Sequence, residues 1–143
     1  MTPHQLAQRL GGRRTLKRRV DTEFDLIEAI ASGLPVPALE SVIRKGIVTS
    51  GEVYELVIPR RTLAHRKDRG QPLTAEESDR LTRVVRVAAR AEEALGDADR
   101  AARWLRKPNR ALEGKRPLDL LESDLGARVV ERVLGRIEQG LAA

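Results

Sequence analysis

Residues able to do covalent or metal chemistry are few in this chain. Its 143 residues include no cysteine and two histidines, His4 and His65. No disulfide, thiolate metal site or cysteine nucleophile can form, and no histidine cluster or histidine-paired nucleophile is evident. The glycines never gather into a phosphate-cradling loop. Carboxylates on the helical segments alternate with arginines, as solvated faces do. The expectation is a protein that is not an enzyme, with no cofactor and no metal. What the sequence does concentrate is positive charge. "PRRTLAHRK" brings Arg60, Arg61, Thr62, His65, Arg66 and Lys67 onto one short segment. Such side chains suit a helix in the major groove, where arginine pairs bidentately with guanine and Lys or Thr meets phosphates or bases.

Two short helices must hold that set. Thr49 can cap the first, "GEVYEL", with Glu52 as its capping-box partner. Pro59 breaks it, because proline disfavours a helical Ile58, and suits the first position of the next helix. Leu56, Ile58 and Leu63 are spaced to hold the second helix against the first, leaving the basic residues outward. The pattern is a helix-turn-helix with two departures. Val57 stands where glycine is usual at the turn, and Glu52 stands where an apolar residue is usual. A plain helical hairpin with a basic face, used for dimerisation or solubility, remains the alternative.

Charge supports the first reading. Residues 1–70 hold 13 Lys/Arg against 8 Asp/Glu, a net of +5, and residues 71–143 hold 14 against 13, a net of +1. A basic first half suggests a polyanionic partner. Apolar spacing predicts helices over 22–32, with Phe24, Ile27 and Ile30 near one face, and over 35–46, 74–95 and 97–105. Thr74 and Glu77 form a second capping box, and a last helix carries Val130, Val133, Leu134, Ile137 and Leu141 on one stripe. No segment alternates with period two for long, so the expected class is all-α. No apolar run approaches the roughly 20 residues that span a bilayer, and no signal core follows "GGRRTLKRR". The expectation is a cytoplasmic protein without a membrane partner. One Phe, one Tyr and one Trp make a lean core, which suits stability shared with a second copy.

The region after Gly96 is punctuated unlike the rest. Trp104-Leu105 is followed by Pro108-Asn109, Leu112, Gly114, Pro117-Leu118, Leu121, Gly126, Val129, Arg136-Ile137 and Gly140. Pro108 and Pro117 fix bends and Gly114 permits a tight turn between them, folding a compact corner beneath the last helix. These words, in this order, resemble the Xre/MbcA/ParS antitoxin family over roughly residues 50–140.

The resemblance implies a type II antitoxin whose partner is a RES-domain toxin that destroys NAD. It implies an Xre-like helix-turn-helix domain followed by a small helical toxin-binding domain that covers the toxin's active-site entrance. It also implies a homodimer that binds promoter DNA and represses its own operon, within a larger complex with toxin. A stand-alone helix-turn-helix regulator without a toxin is the alternative. The expected organisation is a basic arm at 1–20, a DNA-binding region at 21–73, a connecting and dimerisation helix at 74–95 and a toxin-binding domain at 96–143. Toxin contacts are assigned to Trp104, Lys115, Arg132, Arg136, Glu138, Gln139, Gly140 and Leu141, with Trp104 read also as the core anchor of the corner. Arg128, Arg132 and Arg136 form one basic line, either meeting the toxin or paired with Glu131 and Glu138.

Overall fold

A computed structural model of the chain describes residues 1–140. It is all-α, with no strand among the described residues. Two compact units, Met1–Val85 and Arg86–Ala143, divide inside a long helix. The division is thus neither at 73/74 nor at 95/96.

The first unit holds α1 (Pro3–Arg9), α2 (Gly12–Leu16), α3 (Glu23–Ser32), α4 (Val36–Arg44), α5 (Ser50–Leu56), α6 (Arg60–Asp68) and the start of α7 (Ala75–Leu95). The segment expected as an arm is folded: Leu6, Ala7, Leu10, Leu16 and Val20 are buried, and α1 packs on α2 and α3. In sequence these apolar positions are interspersed among the arginines of the segment. Four threonine-capped helix starts recur, at Thr2, Thr22, Thr49 and Thr74. Each pairs reciprocally with the residue three positions on: Gln5, Asp25, Glu52 or Glu77. Each box satisfies amide donors that the helix start leaves open.

One crossing pins the loops of this unit together. The Leu73 amide donates to the Leu34 carbonyl at 2.9 Å, and the Leu34 amide donates to the buried Ser78 hydroxyl at 2.8 Å. Gly33, at φ +88°, permits this approach, because a Cβ there would lie 2.3 Å from the Leu73 carbonyl oxygen. Leu34, Leu39, Val42, Val53, Ile58 and Leu81 fill the core around it. The periodicity of α3 marks a helix, but its sides are used unevenly. Phe24 and Ile27 are exposed, whereas Ala29 is buried.

The second unit holds the end of α7, α8 (Ala98–Arg106), two 3-10 turns (Arg110–Leu112 and Pro117–Leu120) and α9 (Asp124–Glu138). Lys107 is extended before Pro108, ending α8 as a residue before proline should. The corner closes on Asn109. Its amide donates to the Lys115 carbonyl, its carbonyl accepts from Gly114, and its side chain accepts from the Ala111 amide. Glu113 and Gly114 both take positive φ to make that turn. Arg116 grips Asp119 through two hydrogen bonds, at 3.0 and 2.7 Å. Leu105, Leu112, Leu118 and Leu121 lie buried with Val130, Val133 and Leu134 of α9.

Candidate nucleic-acid and partner-binding surfaces

On α6 the six basic-face residues separate into two groups. Arg60, Arg61 and His65 are exposed, and their side chains have no hydrogen-bond or ion partner among the described residues. Thr62 is half-buried. Arg66 turns back into the fold, whereas Lys67 stays exposed but is paired. The Arg66 guanidinium lies 3.3 Å from the Glu77 carboxylate, with side-chain exposures of 21% and 8%. Lys67 donates to Glu40 at 2.7 Å, and that bond raises the lysine pKa above its ordinary value. The expectation that all six project outward therefore fails at Arg66, whose charge is spent on an acid that also caps α7.

The two departures at the turn have local explanations. Val57 sits at φ −117°, so the turn needs no left-handed residue, and its side chain is buried. Its carbonyl accepts from Arg80 Nε at 3.0 Å, which satisfies the end of α5. Glu52 and Thr49 cap the start of α5 reciprocally. Beside α6 a cleft of about 430 Å³ is bordered by Arg44, Tyr54 and Arg60 over Leu39, Ile43 and Leu63. Arg44 and Tyr54 were absent from the sequence-based set because they come from α4 and α5, outside the basic segment.

In the second unit the expected contact residues are also sorted by the fold. Trp104 is half-buried at the end of α8, while Lys115 is exposed on the corner. Arg132 and Arg136 are exposed on α9, with no ion partner among the described residues, and with Val129 they line a cleft of about 290 Å³. Glu138 is an ion-pair partner of Arg90, so it is not a free contact for another protein. Glu131 pairs with Arg86 at 2.9 Å and Arg128 with Asp124 at 2.9 Å. The acids expected to pair along the arginine line instead reach α7. Gln139 and Gly140 close α9, Gly140 at φ +74°. Leu141 lies outside the described residues. Leu125, 68% exposed in the first turn of α9, went unnoticed in the sequence. Counting back from Val129 by one turn, away from the Val130–Val133–Leu134 stripe, would have found it.

The apolar stripe of α7 could serve a second copy or form internal core, and it is core: Leu81, Val84 and Val85 are buried in the first unit, and Val87, Ala88, Ala89 and Ala91 in the second. Among the described residues no group of three or more His, Asp or Glu side chains could hold a metal ion. No single described helix is long and apolar enough to cross a membrane.

Residues 25–86 match the Antitoxin Xre-like helix-turn-helix domain, and residues 90–140 match the Antitoxin Xre/MbcA/ParS C-terminal toxin-binding domain. "Antitoxin Xre" of Pseudomonas putida is 37% identical over 119 residues, covering 83% of this chain and 74% of that protein. The chain belongs to the Xre antitoxin family. A second Antitoxin Xre, from Yersinia enterocolitica, is 32% identical, covering 81% of this chain and 80% of its own. "Prs ADP-ribosylating antitoxin" of Sphingobium sp. is 27% identical over 83% of this chain and 81% of that protein. In this Xre antitoxin α1 and α2 precede the matched helix-turn-helix region, which takes in α5, α6 and the start of α7. The corner and α9 fall within the toxin-binding match.

Proposed function

We propose that the antitoxin neutralises a RES-type, NAD-degrading toxin by covering its active-site entrance with the second unit, and that its first unit represses the antitoxin's own promoter. The observation that carries the first half is the coincidence of the toxin-binding match at 90–140 with one compact unit, Arg86–Ala143, built on the Asn109 corner. A rigid corner under α9 gives a preorganised surface, which lowers the ordering cost of binding. Trp104 and Lys115 would flank that surface, and Gln139 and Gly140 would close its far end.

The DNA half is supported by the free Arg60, Arg61 and His65 on α6, with Arg44 close by at the cleft. A half-site reader gains specificity by pairing, so the reading includes a homodimer. Since α7 is spent internally, a second copy would use another surface. Phe24 and Ile27 on α3 are, besides Met1, the large apolar side chains that the first unit leaves exposed.

The test is co-expression with the toxin encoded in the same operon, following growth and cellular NAD, with a promoter-DNA titration of the purified antitoxin. Rescue of growth with NAD preserved supports the reading, and toxicity unchanged by the antitoxin removes it. The name of the Sphingobium relative favours a second toxin chemistry, ADP-ribosylation of Prs. Growth arrest with modified Prs, and without wholesale NAD loss, would select that chemistry instead.

A further inference from the structure

α9 has three distinct sides. Ala127, Val130, Val133 and Leu134 are buried in the second unit. A flank of carboxylates is consumed: Asp124 by Arg128, Glu131 by Arg86 and Glu138 by Arg90. Leu125, Val129, Arg132 and Arg136 recur at i, i+4, i+7 and i+11, which puts them on one remaining stripe. Leu125 is 68% exposed, Val129 is half-buried, and both arginines are exposed.

That stripe is half apolar and half cationic, and no carboxylate of its own helix is left to neutralise it. Arg132 and Arg136, four residues apart, are like charges that repel each other on the helix surface. Their cleft with Val129 is open and of about 290 Å³, large enough for side chains of another protein.

We propose that this stripe is the surface on which the toxin docks, and that the docked toxin segment is acidic, placing carboxylates on Arg132 and Arg136 and an apolar side chain against Leu125 and Val129. The proposal rests on the reading that the second unit binds a toxin, and adds which side of α9 does so and the chemistry it accepts. Charge complementarity selects the occupant. Arginine pairs carboxylates bidentately, and apolar contact next to the pair excludes water and strengthens it. Arg128 lies at the edge of the stripe, and its charge is already matched by Asp124, so it takes no part.

The experiment is calorimetric titration of the full-length antitoxin into the purified toxin encoded with it, at low and high salt. The variants are Arg132→Gln with Arg136→Gln, Arg132→Lys with Arg136→Lys, Leu125→Gln, and Arg128→Gln as the control. Wild-type binding should weaken as salt rises. The double glutamine variant should bind about 100-fold more weakly and lose most of the salt dependence, as expected when carboxylates are left without their cations. The double lysine variant should recover part of the affinity, Leu125→Gln should weaken it about 10-fold, and Arg128→Gln should leave it unchanged. These side chains are exposed, so helical content by circular dichroism should match wild type throughout. If wild type binds and the double glutamine variant binds equally well, the stripe is not the interface, and toxin binding itself stands. If wild-type affinity does not fall as salt rises, the acidic partner is wrong. If wild type fails to bind the toxin, the reading of the second unit falls, and the stripe with it.

Discussion

Arg66 of α6 and Glu77 of α7 form an ion pair, at 3.3 Å, that ties the basic helix to the capping box of the next. Glu77 uses its other carboxylate oxygen to accept from the Thr74 amide at 2.8 Å. Arg66→Ala would leave a nearly buried carboxylate with its cap but without its cation. The expected cost is about 1–3 kcal/mol of stability, below the full penalty of a buried pair because Arg66 remains partly solvated. Chemical denaturation reads it, and promoter affinity measured well below the transition should hardly change. A loss of DNA binding with unaltered stability would return Arg66 to the reading face.

Arg60 and Arg61 should behave in the opposite way. Changing either to Ala should leave the unfolding midpoint in place. Each should weaken promoter binding by about 1–3 kcal/mol if it reads a base. Affinity should fall steeply with salt, and more gently in the double variant as phosphate contacts are lost. Fluorescence anisotropy with operator and scrambled duplexes separates the two roles. A base-reading arginine narrows the gap between duplexes when removed, whereas a phosphate contact weakens both alike.

What could be read from the sequence was whatever is encoded within a few residues. Thr49 with Glu52 and Thr74 with Glu77 are local signals, and the helix starts they mark are found in the structure. The Pro108–Gly114–Pro117 punctuation likewise marks a corner, since φ restrictions act locally. Direction was not legible. The same spacing that makes α3 a helix cannot say that Phe24 faces solvent, and the charge of Arg66 cannot say that Glu77 claims it. Nor did the acids of α9 reveal that Arg86 and Arg90, more than 40 residues earlier, would take them. Pairing across the fold depends on topology, which spacing alone does not specify.

Gly126 is a test of the corner. A Cβ there would lie 1.9 Å from the Leu120 carbonyl oxygen, a backbone atom that cannot swing aside. Gly126→Ala must push the start of α9 away from the Pro117–Leu120 turn, and overpacking of this kind costs roughly 1–3 kcal/mol. Gly135→Ala, whose nearest neighbour is the flexible Arg90 guanidinium at 3.9 Å, should be neutral or slightly stabilising through helix propensity. Thermal melts of the two variants check the contrast. Equal behaviour would show that the approach of α9 to the turn is not tight in solution.

The same turn carries a pH dependence. The Arg116 hydrogen bonds hold the Asp119 carboxyl below the ordinary carboxylate range. A depressed folded-state value means that the pair's contribution is present above the unfolded pKa and is lost as pH falls through the folded one. Stability of the corner should therefore decline below about pH 4, and only modestly, since both side chains are substantially exposed. Carbon-detected NMR titration of Asp119 should show its midpoint rise in Arg116→Ala. No movement of that midpoint would mean that the clamp is not formed in solution.

The end of α9 separates two ways of neutralising a toxin. Glu138 is tied to Arg90, so truncation after it removes residues 139–143 without breaking that pair or touching the buried stripe of α9. If a projecting end obstructs the toxin's active site, this truncation should abolish protection in co-expressing cells. Binding to the toxin should weaken by about 10-fold or less, because Arg132 and Arg136 still grip it, and promoter affinity should be unaffected. The informative state is a complex that forms but does not inhibit: toxin co-purifies with the truncated antitoxin while NAD still falls. Full protection by the truncated protein would remove the plug from the mechanism and leave occlusion to the Leu125–Arg136 stripe and the corner at Lys115.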